Sequence, residues 1–280
     1  MLALAVALAA LACNSTTQTA APAFACPGAA AQTDAADATV DADATTDAGT
    51  VATDGDAGAP FNVLLFSRTA GFRHASIPTA IAQLMALQAT GGYVAEATED
   101  PTQFSPDNLA RFQVVVFLLT TGDVLDDDQQ AAFEAWIGAG GGYVGVHSAA
   151  DTEYDWPFYG TLMGAYFLSH PDIQQASVDV EVADQPADLP TMGLPSPWVR
   201  TDEWYNFQTN PRPNVTVLAT VDESTYTGGT MGADHPITWS HPTGGGGRAF
   251  YTAMGHTDES YCEPLFRHLL VGALRWVAGR

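Results

Sequence analysis

Four short apolar runs, separated by loops and segments of helical spacing, constrain the fold of this 280-residue chain more than any other feature. The predicted strands are residues 61–66, 93–98, 113–119 and 142–147. The predicted helices between them are residues 77–90, 106–111 and 126–140. Short segments rich in apolar residues are typical of strands buried in a parallel sheet. The alternation therefore predicts an α/β fold with a doubly wound, mostly parallel sheet flanked by helices.

The C-terminal half is richer in predicted strands. Residues 176–182 alternate apolar and polar side chains with a period of two. Further strands are predicted at 214–221, 236–240 and 247–254. The amphipathic segment 261–279 predicts one closing helix. We therefore expect extra β-strands in this half, in addition to the parallel sheet.

Polar residues follow three of the first four predicted strands, in the loops 67–74, 120–125 and 147–155. Right-handed crossovers place these loops at one edge of a parallel sheet, outside the carboxyl ends of its strands. Ligands of doubly wound proteins bind at that edge. We therefore expect the polar side chains of these loops to converge there, namely His74, Thr120, Thr121, Asp123, His147, Ser148 and Asp151.

The N-terminal segment resembles an export signal. Residues 1–12 are entirely apolar but too short to cross a bilayer as a stable helix. The small residues before Cys13 resemble a bacterial lipoprotein processing site, and the alternative is an ordinary secretory signal cut elsewhere. We therefore predict that residues 1–13 direct export, and that a lipid on Cys13 anchors the protein to a membrane in the periplasm or at the cell surface.

Residues 14–60 are predicted to be a disordered acidic linker that precedes a folded domain at 61–280. The linker consists mainly of Ala, Thr, Asp, Gly and Pro, and it contains no Lys or Arg. Such a composition buries too little apolar surface to offset the entropy of ordering. With Cys13 lipidated, Cys26 and Cys262 remain as a candidate disulfide in an oxidising compartment. Because Cys26 lies in the linker, we expect this bridge not to form.

The charge of the chain excludes one class of partner. Its formal net charge is −23, and all nine basic residues are arginines. So acidic a protein repels the phosphate backbone of nucleic acids. We therefore predict no nucleic-acid partner.

Seven sequence segments occur in an order that resembles the trehalose-utilisation (ThuA-like) family across 61–280. They are TAGFRHASI, GGGYVGVHSAAD, WPFYGTLMGAYFLSHP, DEWYNF, HPITWSH, GRAFYTAMGHTDESY and FRHLLVGALRWV. The resemblance implies a class I glutamine-amidotransferase-like (flavodoxin-like) α/β fold. It also implies a role in carbohydrate metabolism, in the processing of oxidised (3-keto) glycosides.

The same resemblance bears on the catalytic residues. In amidotransferases of this fold, a strand similar to the one in GGGYVGVHSAAD ends in a nucleophilic Cys at a sharp turn. Here His147 stands in that place and no Cys is near it, so glutamine hydrolysis is excluded. The catalytic His of that fold lies late in the chain, which favours His256. Glu203, in DEWYNF, is the third catalytic candidate, as a proton donor or acceptor.

The histidines leave two kinds of site open. His147, His170 and His256 are the candidate ligands of a divalent metal such as zinc. The chain lacks a compact motif such as HExxH, so a metal-free acid–base site remains the alternative. A third alternative for His147 is a structural histidine bonded to a loop.

A carbohydrate ligand requires polar groups for its hydroxyls and flat aromatic faces for its C–H surfaces. Trp156 and Tyr159 are candidates for such aromatic faces, together with Trp204 and Tyr205, although packing in the core is the alternative for each of them. The candidate substrate contacts are Arg73, His74, Ser148, Asp151, His170, Trp204 and Tyr205.

These features predict an extracytoplasmic enzyme that acts on a small-molecule carbohydrate by histidine and carboxylate chemistry. In a 3-keto glycoside the ketone acidifies the neighbouring C–H, so His147 would remove that proton while His256 or Glu203 protonates the departing oxygen. A bound metal would polarise the ketone. The alternatives are a non-catalytic carbohydrate-binding surface lipoprotein and a purely structural surface lipoprotein.

Overall fold

The computed structural model describes Cys26, residues 59–181 and residues 190–280. The predicted export segment and most of the predicted linker lie outside the described residues. Within the described part, no helix is both long enough and apolar enough to cross a membrane.

A nine-stranded sheet forms the centre of the domain, in the order β2-β1-β3-β4-β11-β10-β9-β6-β7. Strands β5 and β8 pair separately as a two-stranded sheet. The strands are β1 (Phe61–Phe66), β2 (Tyr93–Thr98), β3 (Val114–Leu118), β4 (Gly142–Val146), β5 (Phe167–Ser169), β6 (Gln174–Val180), β7 (Trp198–Asp202), β8 (Asn206–Phe207), β9 (Thr216–Val221), β10 (Pro236–Pro242) and β11 (Arg248–Thr252).

Seven α-helices accompany the sheet in the described part of the chain. They are α1 (Ile77–Ala86), α2 (Gln88–Gly91), α3 (Pro106–Leu109), α4 (Asp127–Gly138), α5 (Pro157–Met163), α6 (Asp258–Cys262) and α7 (Pro264–Val277). Every residue of β3 and of β4 is buried, as expected for strands covered on both faces. The α/β prediction is therefore confirmed, together with the extra strands of the C-terminal half.

The sheet has a parallel and an antiparallel part. Strands β2, β1, β3, β4 and β11 run parallel to their neighbours, whereas β10, β9, β6 and β7 are joined by antiparallel pairing. In the register of β4 with β11, Val146 lies opposite Thr252. The residues that follow these two strands, beginning with His147 and Ala253, therefore leave the sheet side by side.

Two predicted helices are interrupted. The helix predicted at 77–90 divides at Leu87 into α1 and α2, and Gly92, with a φ of 72°, ends the second. The helix predicted at 261–279 divides at Glu263, whose backbone is extended. Pro264 explains this second break, because a residue that precedes proline is disfavoured in the helical conformation.

Cys26 and Cys262 form a disulfide, so the expectation that this bridge does not form was wrong. The expectation rested on the composition of residues 14–60, which offers little apolar surface to bury. A covalent bond needs no such surface, and Cys262 ends α6 at a partly exposed position. The bridge therefore attaches Cys26 to the domain.

Candidate functional site

His147 occupies a sharp turn directly after β4. It begins a short 3₁₀ helix at His147–Asp151. Its φ of 52° lies in the left-handed region of the backbone, which residues other than glycine rarely adopt. The hydroxyl of Tyr251 donates to the His147 carbonyl at 2.8 Å. Nδ1 of the imidazole donates to the Ala253 carbonyl at 2.6 Å. In the neutral ring this bond leaves the lone pair on Nε2.

That Nε2 atom faces two residues from distant parts of the chain. It lies 3.1 Å from Nδ1 of His256 and 3.4 Å from Oε2 of Glu203. Nδ1 of His256 is in turn 3.0 Å from the same carboxylate oxygen. Three polar atoms, one each from His147, Glu203 and His256, therefore lie within 3.4 Å of one another beyond the carboxyl ends of β4 and β11.

The other oxygen of Glu203 contacts His170. Nδ1 of His170 lies 3.0 Å from Oε1 of Glu203 and donates also to the carbonyl of Pro171 at 2.9 Å. The His170 side chain is 42% exposed, whereas that of Glu203 is 8% exposed. One buried carboxylate therefore carries an imidazole on each of its oxygens, and the His170 imidazole is open to solvent.

His74 completes the group from the loop after β1. It is buried, and its Nδ1 lies 3.3 Å from the hydroxyl of Ser148. The ring centre of His74 is 4.8 Å from that of His147 and 4.9 Å from that of His256. One potential ligand atom from each of His74, His147, Glu203 and His256 lies within 4.8 Å of the others.

Asp202 positions two of these residues. Its carboxylate accepts the backbone N–H groups of Glu203 at 3.0 Å, Gly255 at 2.9 Å and His256 at 3.0 Å. Arg200 donates to the same carboxylate at 2.9 Å, and both side chains of this ion pair are almost fully buried. Asp202 therefore joins the end of β7 to the loop after β11, which brings Glu203 next to His256.

The charges of the cluster follow from its burial and contacts. Burial alone would raise the pKa of Glu203, but its interactions with His147 and His256 outweigh it and hold this pKa below its usual range. Burial alone would lower the pKa of His256, but the bond to Glu203 raises it overall. Burial lowers the pKa of His74 to about 2, assisted by the nearby His147 and His256. At neutral pH the cluster therefore contains a carboxylate and a neutral His74.

A cavity of about 280 Å³ opens directly above this cluster. His147 lies beneath the cavity, fully buried under the ring of Tyr205, whose centre is 4.2 Å from its own. The walls combine aromatic rings with carboxylates and imidazoles, contributed by Phe72, His74, Asp151, Phe167, His170, Glu203, Tyr205 and His256. The arrangement suits a small ligand that has both polar groups and apolar faces.

The comparison with known proteins decides the family. The profile of the trehalose-utilisation (ThuA) family matches residues 62–277. The chain belongs to the ThuA family. No curated protein matches the chain in sequence.

Two solved ThuA-like structures resemble this ThuA-family chain. A putative ThuA-like protein from Bacteroides uniformis is 28% identical with a TM-score of 0.65, and the match covers 78% of this chain and 92% of the other. A putative ThuA-like protein from Parabacteroides merdae is 20% identical with a TM-score of 0.65, over 78% of this chain and 90% of the other. At 20% identity, the likeness to the Parabacteroides merdae protein shows a shared fold alone.

The ThuA-family domain brings most of the predicted site residues to this cavity. On its walls are His74, Asp151, His170, Glu203, Tyr205 and His256. Ser148 is fully buried and reaches the cavity only through its contact with His74. Two of the three predicted metal ligands, His147 and His256, belong to the four-residue cluster, which His74 and Glu203 complete. His170 lies outside it and contacts the opposite oxygen of Glu203.

Other predicted substrate contacts lie elsewhere. Arg73 is exposed and forms an ion pair with Glu99 at 2.6 Å. The Trp204 side chain is fully buried, and its indole N–H donates to the carbonyl of Gln174 at 2.9 Å. The candidate aromatics Trp156 and Tyr159 stack on each other, with ring centres 6.0 Å apart, and both belong to the core. None of these four side chains lines the cavity, so the prediction that they contact the substrate is corrected.

The loop at 120–125 contributes indirectly. Thr120 and Thr121 are fully buried, and the Thr121 hydroxyl donates to the carbonyl of Phe72 at 2.7 Å. This bond holds the loop that presents Phe72 to the cavity. Asp123 is not among the cavity residues.

Two cavity residues escaped the sequence analysis. Phe72 lies in TAGFRHASI beside the residues that were chosen, and Phe167 lies in the segment that leads to His170. Phe72 is 64% exposed and lines the cavity. The aromatic residue within the loop-forming segment TAGFRHASI was the available signal for Phe72, and the proximity of Phe167 to His170 in the chain was the signal for Phe167.

Proposed function

We propose that this ThuA-family protein is an enzyme that acts on an oxidised (3-keto) glycoside, with a trehalose-derived sugar as the first candidate. The observation that carries the proposal is the Glu203 carboxylate, which holds His170 on one oxygen and His256 on the other at the wall of a small cavity. Two imidazoles on one carboxylate provide a proton acceptor and a positive charge within a short distance.

The cavity is compatible with one sugar ring. Its volume of about 280 Å³ lies near the lower end of the range of about 300–1,000 Å³ for small-molecule sites. Phe72, Phe167 and Tyr205 offer faces for C–H surfaces, and Asp151 offers oxygens to hydroxyl groups. The second ring of a disaccharide would extend outward past the exposed Phe72.

The proposed reaction begins at the carbon next to the ketone. His170, which is open to solvent, removes the C2 proton, and the electron pair moves onto the ketone oxygen as an enolate. His256, with its raised pKa, supplies the positive charge that stabilises this oxygen. The enolate then expels the C1 substituent, which takes up the proton and leaves as an alcohol. The other product is a 1,2-unsaturated 3-keto sugar.

His147 does not carry the proton in this proposal, in contrast to the role predicted from the sequence. Its side chain is fully buried, and both ring nitrogens contact protein atoms, namely the Ala253 carbonyl on one side and His256 with Glu203 on the other. We infer that His147 keeps Glu203 and His256 in place beneath the substrate.

The proposed location is outside the cytoplasm, with a lipid anchor at Cys13. The apolar residues 1–12 and the small residues before Cys13 support export. The Cys26–Cys262 bridge supports it as well, because disulfides persist mainly in oxidising compartments.

The test is turnover of 3-keto-trehalose by the purified protein, followed by the appearance of free glucose. We expect Glu203→Gln to lower kcat/KM by about 100-fold or more, because the amide no longer holds the two imidazoles on which the acid–base chemistry depends, and such chemistry typically contributes at least that factor. His268→Gln is the matched control, because this exposed histidine of α7 contacts the carbonyl of Met192 and is not a cavity residue.

Unmodified trehalose should not react, because it lacks the ketone that acidifies the C–H bond. Equal turnover by wild type and Glu203→Gln would contradict the proposal. Binding of the keto sugar without turnover would favour the carbohydrate-binding alternative.

A further inference from the structure

We propose that His74, His147, His256 and Glu203 bind one divalent transition-metal ion, with zinc as the first candidate. The inference concerns the site of the proposed function and rests on that function only for the role of the ion in the reaction. The binding itself is argued from the geometry of the four side chains.

The first argument is the spacing of the ligand atoms. Nε2 of His147, Nδ1 of His256 and Oε2 of Glu203 are separated by 3.1, 3.4 and 3.0 Å. Zinc bonds of about 2.0–2.2 Å to nitrogen and oxygen place neighbouring ligands of a tetrahedron about 3.3 Å apart. The three atoms therefore match one face of such a tetrahedron, and a single ion can reach all of them.

The second argument is the orientation of the imidazoles. Metal-bound histidines commonly donate their other N–H to a carbonyl, carboxylate or hydroxyl, which directs the remaining lone pair at the ion. Nδ1 of His147 donates to the Ala253 carbonyl at 2.6 Å, so its lone pair on Nε2 points at Glu203 and His256. The Ser148 hydroxyl beside Nδ1 of His74, at 3.3 Å, makes Nε2 the ligand atom of that ring.

The third argument is burial. Three imidazoles lie with ring centres 4.8 to 5.1 Å apart around one carboxylate. His74 and His147 are 4% and 0% exposed. A proton on Nδ1 of His256 can bond only to the two nearest atoms, Nε2 of His147 and Oε2 of Glu203. A metal ion can bind all four side chains. A set of three nitrogens with one oxygen suits zinc and its neighbours in the first transition series.

The position of the ion explains the shape of the site. Coordination by Oε2 of Glu203 leaves Oε1 in contact with His170, so the carboxylate connects the ion to the proton acceptor. Because His74, Glu203 and His256 line the cavity, the ion lies at its floor. In the proposed reaction the ion replaces protonated His256 as the stabiliser of the enolate oxygen.

The experiment measures metal binding directly. The full chain, with its disulfide intact, is stripped with a chelator and dialysed, and Zn²⁺ is titrated by calorimetry with metal analysis of the product. We expect one ion per chain. His74→Gln and Glu203→Gln should each weaken binding by about 10-fold or more, while the matched control His268→Gln keeps wild-type affinity.

A second measurement needs no variant. Co²⁺ added to the stripped wild-type protein should give the intense visible absorption of a four- or five-coordinate site. Binding at less than one ion per chain, or unchanged affinity in both site variants, would overturn the inference.

Turnover separates the two proposals. Full turnover of the keto glycoside by the metal-stripped protein would leave the proposed function standing and would exclude the ion from the reaction. Stoichiometric metal binding with no turnover of keto glycosides would do the reverse.

Discussion

His147 combines three properties at one position. Its backbone is left-handed, its Nδ1 is bonded to the Ala253 carbonyl, and its Nε2 faces Glu203. The sequence predicted a histidine at the end of a buried strand, at the position of a sharp turn, and made it a candidate catalytic residue and metal ligand. The remaining properties depend on atoms more than 50 residues away, so no local pattern could supply them. Phe72 is a similar case, because its place at the cavity depends on the Thr121 hydroxyl.

Burial of His74 predicts a dependence of stability on pH in the metal-free protein. The folded state keeps this imidazole neutral, with a pKa of about 2 against 6.5 when unfolded. Acidification below 6.5 therefore protonates the unfolded chain and favours it. Between pH 6 and 5 we expect His74 to lower the free energy of unfolding by up to about 1.4 kcal/mol per pH unit.

Urea unfolding in the presence of a chelator measures this effect, with His74→Gln as the comparison. His256, whose folded pKa is raised above 6.5, opposes this loss, because its contribution to stability is fully present only below the unfolded value; over this interval the change is small. Glu203, whose folded pKa is lowered, adds its own loss only below about 4.5. The same slope in wild type and variant would refute the account of His74.

Strand β7 shows what a sequence pattern fails to detect at the scale of an element. Its inward positions are Trp198, Arg200 and Asp202, so the apolar alternation that marks a strand is missing. The two charges neutralise each other in the interior, which only the folded chain reveals. Strands β1 to β4 were predictable because each is a short segment rich in apolar residues, separated from the next by a segment of helical spacing. The break before α7 was predictable in principle from Pro264.

Asp202→Asn tests the connection between β7 and the loop after β11. The variant keeps the shape of the side chain but leaves the buried Arg200 without its nearest counter-charge. We expect a loss of about 3–5 kcal/mol in the free energy of unfolding. Asp234→Asn is the matched control, because its ion pair with Arg212 is exposed and should contribute at most about 1 kcal/mol.

Both values come from denaturant unfolding curves. A loss in Asp202→Asn no larger than in the control would show that the buried ion pair does not stabilise this connection.

The disulfide acts at the scale of the whole molecule. It joins Cys26 to Cys262 across 236 positions of the chain, and a cross-link of this kind limits the freedom of the unfolded state. We expect Cys262→Ser to lower the free energy of unfolding by about 2–4 kcal/mol.

Guanidinium unfolding with and without a reductant measures this contribution. The reductant should reproduce the effect of Cys262→Ser in the wild type and have no effect on the variant. Cys13→Ser should behave as wild type, because Cys13 is not part of the bridge.

The sequence by itself determined the class of fold, the succession of its main strands along the chain, and the family. These follow from apolar runs, helical spacing and ordered motifs, all of which are local. It also supplied most of the polar residues at the edge of the sheet. Only the tertiary structure decided that β11 returns beside β4 and that Asp202 draws Glu203 to His256. Distances of about 3 Å between side chains, and the protonation that burial imposes, arise from contacts between remote segments, which a linear pattern does not encode.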